Sequence, residues 1–198
     1  MTAVFALTPA LFPRSSKAKE SKMPRSPKHS VRCVAVLGSG KVRKKDPVYL
    51  QAVALGQALA RENFVVCHGG YGGVMEAVAK GCRFAGGHNT GITIRGASKK
   101  TSPWTDTEIK MPSWQSRLFK LIEMGDAYVF WDGASGTLAE LFVVLEMTNR
   151  GLLQKPIIIL GKKLSKLLRS LAKDPNFDLP PQVVFVISAE QATRHLKA

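Results

Sequence analysis

The chain is short of acids, histidines, cysteines, aromatics and long apolar runs, and each shortage excludes a class of protein. No apolar stretch among its 198 residues approaches the roughly 20 needed to span a bilayer, so a soluble protein with no membrane partner is expected. Its three cysteines, Cys33, Cys67 and Cys82, lie far apart and form no Cys-x-x-Cys pair. An odd count on apolar segments predicts buried free thiols in a reducing compartment, the cytoplasm, rather than a disulfide scaffold. The 4 histidines show no ligand spacing, so no metal is implied. Aromatics are 8% of the residues and are not interleaved with Lys and Arg as base-stacking platforms would be. That argues against specific nucleic-acid binding. Only 14 acids stand against 29 Lys and Arg, a formal net charge of +15. A surface this basic can attract nucleic acid, acidic membrane or a phosphorylated small molecule, and the plainer alternative is a solvated basic surface with no partner.

What is present falls into two parts. Residues 1–30 are rich in Ser, Pro, Lys and Arg, contain Glu20 as their single acid, and show no sustained period. They read as a disordered extension. An organellar targeting segment, or a start displaced to Met23, is the alternative. From residue 31 to 198 the pattern alternates regularly, and one domain is expected. Strands are predicted at Arg32–Leu37, Phe64–Cys67, Thr90–Ile94, Ala127–Trp131, Pro156–Leu160 and Val183–Ile187. Helices are predicted at Asp46–Arg61, Gly73–Phe84, Trp114–Met124, Leu138–Asn149 and Leu164–Lys173, with a short one at the end. The stretch between Ile94 and Met111, with Pro103 and Trp104, reads as irregular. Near-continuous Val/Ile/Leu strands alternating with helices imply a Rossmann-like three-layer α/β/α fold with a mostly parallel sheet.

In such sheets ligands bind beyond the carboxyl ends of the strands. Three glycine-rich turns stand there: Gly38-Ser39-Gly40, Gly69-Gly70-Tyr71-Gly72-Gly73, and Gly133-Ala134-Ser135-Gly136-Thr137. The second runs into a helix carrying Met75. Glycines let backbone N–H groups approach a ligand, and a helix N-terminus favours an anion. The plainer alternative is a tight turn that needs positive φ angles. The third turn adds the hydroxyls of Ser135 and Thr137, and Glu140 is expected on the first turn of the helix that follows. There it either faces the same crevice or merely complements the helix dipole.

Gly-Gly-Tyr-Gly-Gly-Val-Met-Glu-Ala and the later Gly-Ala-Ser-Gly-Thr-Leu-Ala-Glu resemble the two signatures of the LOG (LONELY GUY) family, GGGxxGLMG and PGGxGTxxE. The likeness runs from about Val31 to Leu160, with Leu55-Gly56-x-x-Leu59-Ala60 and Gly125-Asp126-Ala127 in register. It implies a nucleotide-binding homodimer that hydrolyses the N-glycosidic bond of a nucleoside 5′-monophosphate, cytokinin riboside monophosphates in the characterised members. The products are free base and ribose 5-phosphate, and no cofactor is used. The resemblance places the catalytic Arg at Arg117 and the catalytic Glu at Glu140. A carboxylate there would stabilise the sugar's developing positive charge or orient water. The guanidinium would bind phosphate or orient the Glu and the leaving base. Gly38, Ser39, Gly69, Gly70, Gly72, Gly73, Met75, Gly133, Ser135, Gly136 and Thr137 would hold the nucleotide.

The sequence departs from the pattern in four places. Asp132 replaces the motif's Pro, which is expected to set a negative charge beside the phosphate cradle. Ala134 replaces a Gly, Leu118 replaces the Lys after the catalytic Arg, and Gln115 replaces the His before it. Together they are compatible with another nucleoside monophosphate as substrate or with loss of hydrolysis, and the altered Asp132–Ser135 turn favours a competing reading, a non-catalytic carrier. Molybdenum-cofactor carriers resemble the same fold and hold an anionic pterin phosphate without turning it over. Retention of Arg117 and Glu140 favours the hydrolase. A homodimer is expected besides, because Phe119, Leu121, Ile122, Leu141, Phe142, Val144, Leu145 and Met147 cover more than one helical stripe.

Overall fold

A computed structural model describes residues 32–197; the extension read at residues 1–30 lies outside the described residues. Thirteen elements alternate along the chain: β1 Cys33–Leu37, α1 Pro47–Arg61, β2 Val65–His68, α2 Val74–Phe84, β3 Asn89–Ile94, β4 Thr107–Met111, α3 Trp114–Met124, β5 Ala127–Phe130, α4 Ser135–Asn149, β6 Ile157–Ile159, α5 Lys162–Leu171, β7 Val183–Phe185 and α6 Ala189–Lys197. The seven strands form one sheet in the order β4-β3-β2-β1-β5-β6-β7, and every pairing is parallel. The fold is the expected three-layer α/β/α arrangement.

Strand side chains alternate between two cores. Val34, Val36, Val66 and Val129 pack under α1, α2 and α6, against Leu55, Leu59, Val78 and Leu196. Ala35, Leu37, Cys67, Tyr128 and Phe130 face the other way, against Leu118 and Leu121 of α3, Leu141 and Val144 of α4, and Leu164 and Leu168 of α5. Because both faces are covered, the central strands are apolar at every position rather than at every second one. On the first face α1 and α2 approach very closely. A Cβ on Gly56 would strike the Val78 carbonyl, and one on Gly81 would strike the Val53 carbonyl.

Two expectations are corrected. The stretch before Met111 contains strand β4, paired with β3 from Thr90↔Thr107 to Ile94↔Met111. It was illegible because it is an edge strand whose Thr107, Glu108 and Lys110 are exposed, which leaves little apolar pattern. Helix α4 also begins at Ser135, three residues before the predicted Leu138. Glu140 therefore lies in its second turn, where the helix dipole gives a carboxylate little. The described residues start in mid-sheet and wind outward through β2, β3 and β4, then return to the other side of β1 as β5. The loops after β1 and β5 diverge at that reversal and open a crevice at the strands' carboxyl ends.

Candidate functional site

The crevice is a cleft of about 470 Å³ built from the loops after β1, β2, β3 and β5 and from the first turns of α3. Most of its wall is apolar, with Tyr71, Met75, Ile94, Trp114 and Leu121 contributing. Arg117 and Glu140, on different helices, meet at its edge. The Arg117 Nη1 stands 3.5 Å from Glu140 Oε1, and both side chains are about nine-tenths buried. Arg117 Nε donates to the Ile92 carbonyl at 2.7 Å, and its Nη2 donates to the Gly69 carbonyl at 3.0 Å. One guanidinium thus ties β3, the turn after β2 and α4 together, with its plane near the Tyr71 ring, 5.6 Å from the centroid. Burial raises the Glu140 carboxyl above its ordinary value, and the adjacent Arg117 opposes the rise.

A buried polar chain holds the second glycine turn. His68 Nδ1 accepts the Gly70 N–H at 3.0 Å, so Nε2 carries the proton and donates to Asn89 Oδ1 at 3.0 Å. Asn89 in turn gives its amide to Asp106 at 2.6 Å and to the Trp104 carbonyl at 3.0 Å. Burial drives the His68 ring down to about 4, with the nearby Arg117 charge adding to it and the Asn89 contact opposing it. The imidazole is neutral at ordinary pH, both its nitrogens are engaged inside the protein, and it does not line the cleft.

The structure divides the expected ligand-binding residues. Gly38, Ser39, Gly69, Met75, Gly136, Thr137, Arg117 and Glu140 all line the cleft. Gly70, Gly72, Gly73, Gly133 and Ser135 do not. Gly70 and Gly73 serve the turn itself, with φ of 77° and 69°, and a Cβ on Gly73 would strike the Ser39 carbonyl. The Gly70 N–H is taken by His68. Gly69 is needed for a different reason: a Cβ there would occupy the space of the Arg117 Nη2.

Asp132 does not line the cleft. Its carboxylate turns away and accepts the backbone N–H groups of Leu164 at 2.9 Å and Lys163 at 3.2 Å. It caps α5 from a distance, because the cap position itself is Gly161, which has no side chain to offer. The anion therefore satisfies a helix end. Ala134 does line the cleft, at the cap position of α4, and no side chain caps that helix. The lining residues outside that expected set include Lys41, Tyr71, Lys99 and Trp114. Lys41 was signalled by its place directly behind the Gly38-Ser39-Gly40 turn. Nothing in the sequence marked Lys99 or Trp114, since the β3–β4 connection and the α3 axis fix where they point.

Among the described residues no helix is long and apolar enough to cross a membrane. Comparison with known proteins follows the same geometry. A molybdenum-cofactor-binding protein from Rippkaea orientalis superposes with a TM-score of 0.69 at 27% identity, covering 84% of this chain and 95% of that one. A probable cytokinin riboside 5′-monophosphate phosphoribohydrolase of Oryza sativa subsp. japonica is 34% identical over 115 residues, 56% of this chain and 50% of that protein. A protein from Archaeoglobus fulgidus is 29% identical over 131 residues, 66% of this chain and 85% of that one. The model of the SLOG cluster4 family matches residues 31–190, which takes in every element of the sheet and all the turns of the cleft. On that match the chain belongs to the SLOG cluster4 family, a family related to LOG.

Proposed function

We propose that this protein binds a phosphorylated heteroaromatic small molecule in the cleft and carries it without turning it over, the cargo being a pterin phosphate such as the molybdenum cofactor. The observation that carries this reading is the closed Arg117–Glu140 pair. Each of the three Arg117 nitrogens already faces a protein acceptor, and the pair contributes no net charge to the cleft. A guanidinium committed to two backbone carbonyls and a carboxylate is a structural tie, and its Glu is neutralised as a charge stabiliser. The apolar walls with Tyr71 and Trp114 suit a flat ring. The similarity to the Rippkaea orientalis protein, which runs nearly the length of both chains, supports the same cargo.

The second reading is a nucleoside 5′-monophosphate phosphoribohydrolase. It is favoured by Glu140, which lines the cleft and whose raised carboxyl would suit proton delivery to a departing base. One experiment separates the two. The protein is incubated with a panel of nucleoside 5′-monophosphates and assayed for free base by chromatography, and in parallel passed through a sizing column with molybdenum cofactor. The carrier reading expects no free base, cofactor retained at one equivalent per chain, and unchanged retention in Glu140→Gln. Free base that falls by roughly 10² in Glu140→Gln would establish the hydrolase instead.

A further inference from the structure

Resting on the reading of the cleft as a site for a phosphorylated ring, we propose that Lys41 and Lys99 are its phosphate-holding residues and that the group they hold is a single phosphomonoester dianion. The cleft is lined by three cations, Lys41, Lys99 and Arg117, and by one carboxylate, Glu140. Arg117 and Glu140 cancel each other at 3.5 Å, which leaves the two lysines. They stand on separate loops, Lys41 after β1 and Lys99 after β3, and both are exposed.

Neither lysine has a carboxylate partner within 4.0 Å among the described residues, unlike two neighbours in sequence and space. Lys44, three residues beyond Lys41, is drawn 3.4 Å from Glu76, and Lys110 on β4 stands 3.5 Å from Glu108. Lys41 is also placed by its own backbone, whose N–H donates to Ser39 Oγ at 3.1 Å. The same cleft receives the N-terminus of α4, where Ala134 leaves the first N–H groups uncapped and Gly136 has open space around it. Two unpaired ammonium groups and a free helix end total slightly more than two positive charges. A phosphomonoester carries about −1.5 to −2 at neutral pH, which matches, whereas a diphosphate would exceed it. Arg117, with its bidentate shape spent on backbone carbonyls, is the positioning residue that holds the Gly69 turn and Glu140.

The test uses calorimetric titration of the full chain with guanosine 5′-monophosphate, guanosine and guanosine 5′-diphosphate, because guanine shares the amino-oxo pyrimidine edge of a pterin. The monophosphate should bind about tenfold or more tighter than guanosine. Lys41→Gln and Lys99→Gln should each weaken the monophosphate by about five- to tenfold while leaving guanosine unchanged. The double variant should keep only the few-fold preference that the helix end supplies, with Lys166→Gln on α5 as a control that changes nothing. Both lysines are exposed, so melting temperatures should match the parent. A phosphate preference that survives at its parental size in the double variant, or is missing in the parent, overturns the lysine clamp and leaves the ring-binding cleft standing. Diphosphate binding tenfold tighter than monophosphate overturns the single-dianion assignment. Failure of all three probes and of the pterin phosphate overturns the cleft reading and the clamp together.

Discussion

His68 and Arg117 are the residues whose burial has measurable consequences. The His68 ring is pushed from an ordinary 6.5 down to about 4 in the folded chain. Between those values the unfolded chain takes up a proton that the folded chain does not, so stability falls as pH drops from 6.5 toward 4. The full effect is about 3 kcal/mol, and chemical denaturation across that range should show it. His68→Asn should be less stable at pH 7 and flatter with pH. The opposite sign applies to Glu140, whose raised carboxyl makes its ionised form the costly one as pH rises above its ordinary value. Arg117→Ala removes the donor to two carbonyls and the partner of a buried carboxylate, and should cost about 3 kcal/mol in urea melts. Adding Glu140→Gln should cost less in that background than in the parent, by about 1 kcal/mol or more. Strict additivity would show that the pair is not coupled.

Among the elements, α1, α2 and α5 each depend on a residue that carries no obvious chemistry. Gly56 and Gly81 let α1 and α2 touch backbone to side, and neither has room for a methyl group. Gly56→Ala and Gly81→Ala should each lower stability by about 2 kcal/mol, against the usual gain of replacing a helical Gly by Ala. A melting temperature at or above the parent's would contradict that packing. Asp132 supplies to α5 the cap that Gly161 cannot, so Asp132→Ala should cost about 1 kcal/mol and leave ligand affinity unchanged. By the same geometry Asp132→Pro should destabilise α5.

At the scale of the whole molecule the monomer uses most of the apolar residues that suggested a dimer. Leu121, Ile122, Leu141, Val144 and Leu145 are buried against the sheet, and Phe142 packs edge-on to Phe177. Phe119 on α3 stays 54% exposed, and Phe142 on α4 stays 37% exposed. We propose a homodimer through this outer face of α3 and α4. Light scattering at micromolar concentration should report twice the chain mass for the parent and a monomer for Phe119→Glu; a monomeric parent would reject it.

How much of this was legible follows from which signals are local. Continuous apolar runs separated by helical periods were enough to place six of the seven strands and the three glycine turns, because burial on both faces writes itself into every position of a strand. The edge strand β4 escaped because half of it faces water. The pairing of Arg117 with Glu140 came from family resemblance, since no spacing links residues on different helices. Which glycines line the cleft, where the Asp132 carboxylate points, and that Lys41 and Lys99 share a cleft were decided by tertiary structure alone. Each depends on how loops from non-adjacent strands converge at the reversal of a parallel sheet, and the distances there are set by the strand order, which no local pattern encodes.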